Sequence, residues 1–158
     1  MQIQREDNGS YVLSEVDSPL EEMLAAIPAS LDPKGNHAAE DRLYPAPMKG
    51  SEGEALREEW TEYIKPDLRH LFETARDTVK GDLEQLLGGS TLIIPSEHID
   101  AWLNALNQAR LVLASRFELS EADLDKPVSY VLETERDLAL FQVHFYGFVQ
   151  ECLIRGED

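Results

Sequence analysis

Ile99-Asp100-Ala101-Trp102-Leu103-Asn104-Ala105-Leu106-Asn107-Gln108-Ala109-Arg110-Leu111-Val112-Leu113-Ala114-Ser115-Arg116-Phe117 is the stretch on which the fold turns. Ile99, Leu103, Leu106, Leu113 and Phe117 recur at helical spacing as one apolar stripe, and Ser96 behind Pro95 offers an N-cap. The spacing predicts a helix over 96–118. At about 100° per residue Arg110 falls inside that stripe and Asn107 falls at its edge. A guanidinium on a packed face must find partners, because an unpaired buried charge costs several kcal/mol. One reading gives Arg110 an internal carboxylate or carbonyl partner that sets how two helices meet. The other gives it, with Asn107, an anion or a ligand ending in a carboxylate. Gln142 and Gln150, polar positions in an apolar C-terminal helix, carry the same two readings.

Working outward, Val131 to Ile154 is dense in apolar residues and predicts a helix over 129–154. Leu138, Phe141, Phe145, Phe148, Val149 and Cys152 form its main stripe, while Leu140, Val143 and Ile154 continue around the back. A helix apolar nearly all round is central in a core or buried at an interface, which admits a homodimer through Val143 and Ile154. Ser120 to Asp123 resembles the start of a short turn that Lys126-Pro127 interrupts. Upstream, Thr91-Leu92-Ile93-Ile94 is a β-branched run between breakers and predicts a strand over 91–94.

Residues 51–87 are rich in helix formers, but Pro66 lacks an amide hydrogen, so the helix must kink or restart there, giving segments of about 52–64 and 66–87. The prolines and glycines of 29–50 predict a loop, with a turn or two of helix near Ala38 to Leu43. Ser18-Pro19 opens a helix over 17–28 that Pro28 closes. Residues 1–14 read as a hairpin, its two-residue turn formed by Asn8-Gly9. The expectation is a single α+β domain, mainly α. About five helices form a bundle, and a small antiparallel sheet of two or three strands lies at one side.

The chain has 158 residues, the usual size of one domain. Its 31 acidic against 14 basic residues give a formal charge of −17. That excess repels phosphate backbones and anionic lipid, so neither nucleic acid nor a membrane is expected as a partner. The one cysteine, Cys152, sits in an apolar pattern and suits a reducing compartment. No charged start followed by an apolar run opens the chain, and no apolar run of about 18 residues occurs in it, so a cytoplasmic location is expected.

Catalytic signatures are missing: there is no nucleophile elbow, no P-loop and no dinucleotide fingerprint. The four histidines, at 37, 70, 98 and 144, lack the paired spacing of a metal site. Asp67, His70 and Glu73 share one helical edge, a pattern that a solvated helix face explains better than a metal. No catalytic residue, metal or cofactor is expected. The polar cluster singled out is Arg110, Asn107, Arg116, Arg42 and Gln150, whose planar donors suit a carboxylate or phosphate.

Trp102-Leu103, Leu106-Asn107, Arg110-Leu111-Val112-Leu113 and Arg116 together resemble the uncharacterised bacterial family DUF2017. Weaker similarity extends to Glu15–Leu24, Asp41-Arg42-Leu43-Tyr44-Pro45, Glu54–Leu68 and Phe148–Leu153. The chain departs from the family's usual form around Trp60, Tyr63 and Phe72 and at Pro66. The resemblance implies a cytoplasmic helical domain whose genes often lie near one for an adaptor of the Clp protease, and it brings no catalytic residues with it. The expected function is a non-catalytic protein-interaction or regulatory domain. The alternative is a binder or enzyme with an arginine-centred pocket for a small anion or carboxylate.

Overall fold

The computed structural model describes residues 1–47 and 53–156; the part of the expected loop and kinked segment at 48–52 lies outside them. Strands β1 (Gln2–Arg5), β2 (Tyr11–Ser14) and β3 (Leu92–Ile94) form an antiparallel sheet in the order β1-β2-β3. Ile3 pairs with Leu13, and Leu13 with Leu92, so Ile3, Tyr11, Leu13, Leu92 and Ile94 all point to the buried face. Period-two alternation makes that face inevitable once the register is set.

The hairpin loop differs from the two-residue turn expected. Glu6 N–H donates to Ser10 O at 2.8 Å, which leaves Asp7, Asn8 and Gly9 in the loop. Only Gly9 has a positive φ, +83°. This is the three-residue loop that ends in a left-handed glycine. Asn8 instead accepts the Ser10 N–H with its side chain at 2.9 Å. At the other edge of the sheet Gln85 replaces a fourth strand: its amide donates to Ile93 O at 2.9 Å and accepts from Ile93 N at 3.0 Å. A side chain thereby closes an edge otherwise open to another strand.

The helices are α1 (Ser18–Ala25), α2 (Ile27–Ser30), α3 (His37–Leu43), α4 (Glu54–Glu59), α5 (Lys65–Leu83), α6 (Ile99–Arg116), α7 (Glu121–Leu124) and α8 (Glu135–Arg155). The fold is mainly helical α+β with the small sheet at one side. Asp17, not Ser18, caps α1, accepting from Leu20 N at 3.2 Å. Pro28 does not end that helix; it occupies the first turn of α2, where its missing N–H is harmless. Pro66 produces no break either. A π-helical turn over Trp60–Ile64 carries α4 into α5, and Pro66 sits in the first turn of α5. Widening the ladder by one residue is a standard way to absorb a misfit of this kind.

Helix α6 runs through the centre and packs against α2, α3, α5 and α8. Ser96 does not cap it: residues Ser96–His98 make a tight 3₁₀ turn, and no side chain caps the α-helix itself. Besides Leu106 and Leu113 it buries Trp102, Ala105, Ala109 and Val112, a wider face than the expected stripe. Asp82 near the end of α5, itself 8% exposed, accepts from Trp102 Nε1 at 2.8 Å and lies 3.0 Å from His98 Nδ1. A buried carboxylate thus satisfies the indole and fixes the start of α6.

Helix α8 begins at Glu135, not near 129, because Thr134 and Asp137 form a reciprocal capping box there. Its inward residues are Ala139, Val143, Phe145, Tyr146, Val149 and Leu153. Leu138 and Phe148, expected inside, are 40% and 53% exposed. The helix is rotated about one residue position, about 100°, from the expected face. Tyr146 is the reason legible in contacts: its hydroxyl donates to Met23 O at 2.8 Å, and burial pushes the phenol up to about 12. Tyr146→Phe should leave Met23 O without that donor and cost about 1–2 kcal/mol, measured by chemical denaturation. An unchanged midpoint would show that the bond does not position α8.

Candidate functional site

Arg110 leaves α6 toward α8 and meets it where α8 is thinnest. Gly147 faces the guanidinium, and a Cβ built there would come within 3.3 Å of Arg110 Cζ. Here glycine eases a close approach, since a Cβ would make the guanidinium give by a few tenths of an ångström, and no unusual dihedral is involved. Arg110 Nη1 donates to Gln150 Oε1 at 2.9 Å, and Gln150 Nε2 donates back to Leu103 O at 3.4 Å. Gln150 therefore ties α8 to α6 at two levels. The partner of Arg110 is an amide carbonyl, which leaves its positive charge without the matching carboxylate of a closed ion pair.

Arg110 Nε is buried and meets no protein acceptor, and the same holds for His144 Nε2. Both residues line a groove of about 350 Å³ shared with Leu124, Gly147, Phe148 and Glu151. A groove with an arginine at its edge, a histidine and an exposed phenylalanine can hold an acceptor group flanked by apolar surface.

Of the five residues expected in one polar cluster, contacts join two, Arg110 and Gln150. Asn107 is exposed one turn before Arg110, and Arg42 is exposed in the last turn of α3. Arg116 stacks its guanidinium 5.5 Å from the centre of the Phe117 ring. Gln142 lies 3.5 Å from the Tyr146 hydroxyl and belongs to the core network. Sequence reasoning missed Gly147 and His144; a lone glycine in an apolar helix was the available signal, since it costs helix stability unless something must come close. Among the described residues no group of three or more His, Cys, Asp or Glu side chains is placed to hold a metal, Asp67, His70 and Glu73 included.

Next to the groove runs the connector from α7 to α8. Val128, Tyr130, Val131 and Leu132 are exposed along it, Tyr130 by 83%. Tyr130 packs edge-on to Phe141 of α8, with ring centres 5.9 Å apart. Val128, Val131, Phe141 and His144 line a further small recess, so the connector and the Arg110 groove are continuous through His144. Arg136 holds the base of this region, donating to Phe117 O at 3.3 Å, to Glu118 O at 3.4 Å and to Asp123 at 2.8 Å.

Fold and site together define a mainly helical α+β domain with a grooved, partly apolar surface where its two longest-packed helices meet. The family model for a domain of unknown function, DUF2017, matches residues 9–156, and the chain belongs to that family. No curated protein and no solved structure matches it. No helix among the described residues is long and apolar enough to cross a membrane.

Two outcomes follow from this geometry. In a double-mutant cycle, Arg110→Ala and Gln150→Ala should couple by about 1 kcal/mol; additive effects would mean that the pair does not fix α8 on α6. Asp123 is held well below the usual carboxylate range by the Ser120 backbone N–H first, then by the Ser120 hydroxyl, Arg136 and Lys126. A depressed native value contributes stability above the unfolded pKa of about 4 and loses it as pH falls further. Amide-exchange protection, relative to the intrinsic rate, should fall at residues 118–126 below that pH, and Asp123→Asn should remove most of that dependence.

Proposed function

We propose that this domain is a non-catalytic protein-interaction or regulatory module of the cytoplasm, taking its partner on the surface formed by residues 128–132 and the outer edge of α8. The observation that carries this reading is the connector itself: four large apolar side chains in five consecutive positions stand exposed against Phe141. A solvated linker gains nothing from such a run, whereas a contiguous apolar patch on a soluble surface usually marks an interface. The adjoining Arg110 and His144 nitrogens add specificity, since a partner segment that buries the patch would bring a carboxylate or carbonyl to them.

The net charge of −17 supports the exclusion of nucleic acid and anionic membrane from the list of partners. A second copy of the chain is a partner of the same kind, but not through Val143 as its sequence position suggested, because Val143 is buried in the core. Ile154, 66% exposed, remains available. A second reading is a small anion or carboxylate in the Arg110 groove, favoured by the unmatched Nε; it predicts a thermal shift with a small carboxylate that Arg110→Gln removes.

The primary reading is tested by crosslinked pull-down of the tagged chain from its native cytoplasm against a Tyr130→Ser/Val131→Asp variant. A near-stoichiometric partner, or the untagged chain itself, should be recovered and should be lost from the variant, whose melting temperature stays within a few degrees. Recovery of the bait alone, or equal capture by both forms, would refute it.

A further inference from the structure

On the opposite side of α6 lies a second recess that the functional reading above does not use. Gln108 and Arg110 are about 200° apart around the helix axis and so face opposite neighbours. Gln108 is 3% exposed, its Nε2 meets no acceptor among the described residues, and the side chain lines a cleft of about 400 Å³. A primary amide that is almost fully buried and unpaired is costly to keep, and the natural reason to keep one at the wall of a cleft is a ligand.

The other walls have a consistent chemistry. Arg69, Phe72 and Arg76 of α5, at helical spacing, alternate planar cation, ring and planar cation along the cleft. Tyr44, just past α3, tilts against Phe72 with ring centres 5.6 Å apart. Glu40 is engaged by Lys65 at 3.3 Å and Arg69 at 3.6 Å, and both cations also sit 5.4 Å from the Tyr44 ring centre. Among the described residues Arg76 has only a 3.5 Å contact, to its chain neighbour Asp77 on the exposed flank. Its planar fork is the cation best placed to accept a new partner.

We propose that this cleft binds a small planar carboxylate: a flat ring on the Phe72–Tyr44 shelf, with its carboxylate accepting from Arg76 and from the Gln108 amide. The guanidinium fork matches a carboxylate in two parallel hydrogen bonds, and the rings supply a stacking surface of the right shape. The volume falls in the range of small-molecule sites. Asp32, Glu40 and Glu73 line the same cleft, with Glu40 already engaged by Lys65 and Arg69, which sets a limit on charge: one negative group is accommodated at Arg76, and a polyanion is rejected. The inference stands apart from the connector surface, because α6 separates the two.

The test is an NMR titration of the full chain with benzoate, following the Gln108 side-chain amide, with acetate and inorganic phosphate as comparisons. Benzoate should shift that amide saturably, and acetate and phosphate should bind at least about tenfold more weakly. Arg76→Ala should weaken benzoate about tenfold, with partial recovery in Arg76→Lys. Gln108→Leu, followed through the backbone amides of Phe72 and Arg76, should weaken benzoate about tenfold while raising the melting temperature of the free protein, because it removes an unpaired amide. No saturable shift, benzoate no better than acetate or phosphate, or benzoate binding indifferent to Arg76→Ala would overturn the proposal. Should Gln108→Leu fail to fold, the Arg76 series decides alone.

Discussion

Helix α6 is enclosed by α2, α3, α5 and α8, and the rest of the structure follows from what that enclosure demands of its polar groups. A helix packed on several sides has few polar side chains that reach water, Asn104 and Asn107 among them, and each polar group it buries needs a partner or bears the cost of lacking one. Trp102 is answered by a buried carboxylate, Asp82, which also faces His98 and so anchors the end of α5 to the start of α6. Arg110 is answered by an amide, Gln150, on a helix brought close by Gly147. Gln108 Nε2 is answered by no protein group. These three solutions locate the three places where neighbouring elements are most constrained or least complete.

What could be read from the sequence was whatever depends on local chemistry. The hairpin, the strand near 92–94, the mainly helical class and α6 itself come from turn residues, breakers and periodicity, which act over a few positions. The misses have a common cause. Pro28 reads as a terminator because proline forbids a helix interior, yet it lies in a first turn, where that prohibition does not apply; Pro66, where a second segment was expected to begin, lies in the first turn of α5. Whether a proline ends one helix or begins the next depends on the element before it, and the π-helical turn at Trp60–Ile64 is not written in any short motif.

The rotation of α8 is a different kind of failure. Counting apolar bulk favours the face with Phe141, Phe145 and Phe148, but of these the core keeps only Phe145, beside Ala139, Val143, Tyr146, Val149 and Leu153, with Gly147 next to Arg110. Close approach to α6 selects small side chains, and the buried Tyr146 hydroxyl finds a carbonyl on the first helix. Phenylalanines displaced by this choice end on the outer face, where Phe148 borders the groove and Phe141 supports Tyr130. The same packing decision that brings Arg110 against α8 therefore builds the apolar surface next to it. In the polar cluster, Arg110 and Gln150 meet between α6 and α8, whereas Asn107, Arg42 and Arg116 were grouped with them by residue type alone, which carries no distance.

Charge then divides the labour between the surfaces. With 31 acidic and 14 basic residues, the long-range field is negative, so it slows the approach of acidic partners and hastens that of basic ones in a salt-dependent way. Such a field cannot supply a tight complex, because rim charges govern encounter more than residence. Residence must come from desolvated contacts, and the connector offers them in Val128, Tyr130, Val131 and Leu132. Lys65, Arg69 and Arg76 run against the general trend by gathering three cations along one stretch of α5, two of them held by Glu40. In a protein this acidic, a local group of that kind neutralises the approach to a single recess without altering the field that the rest of the surface presents.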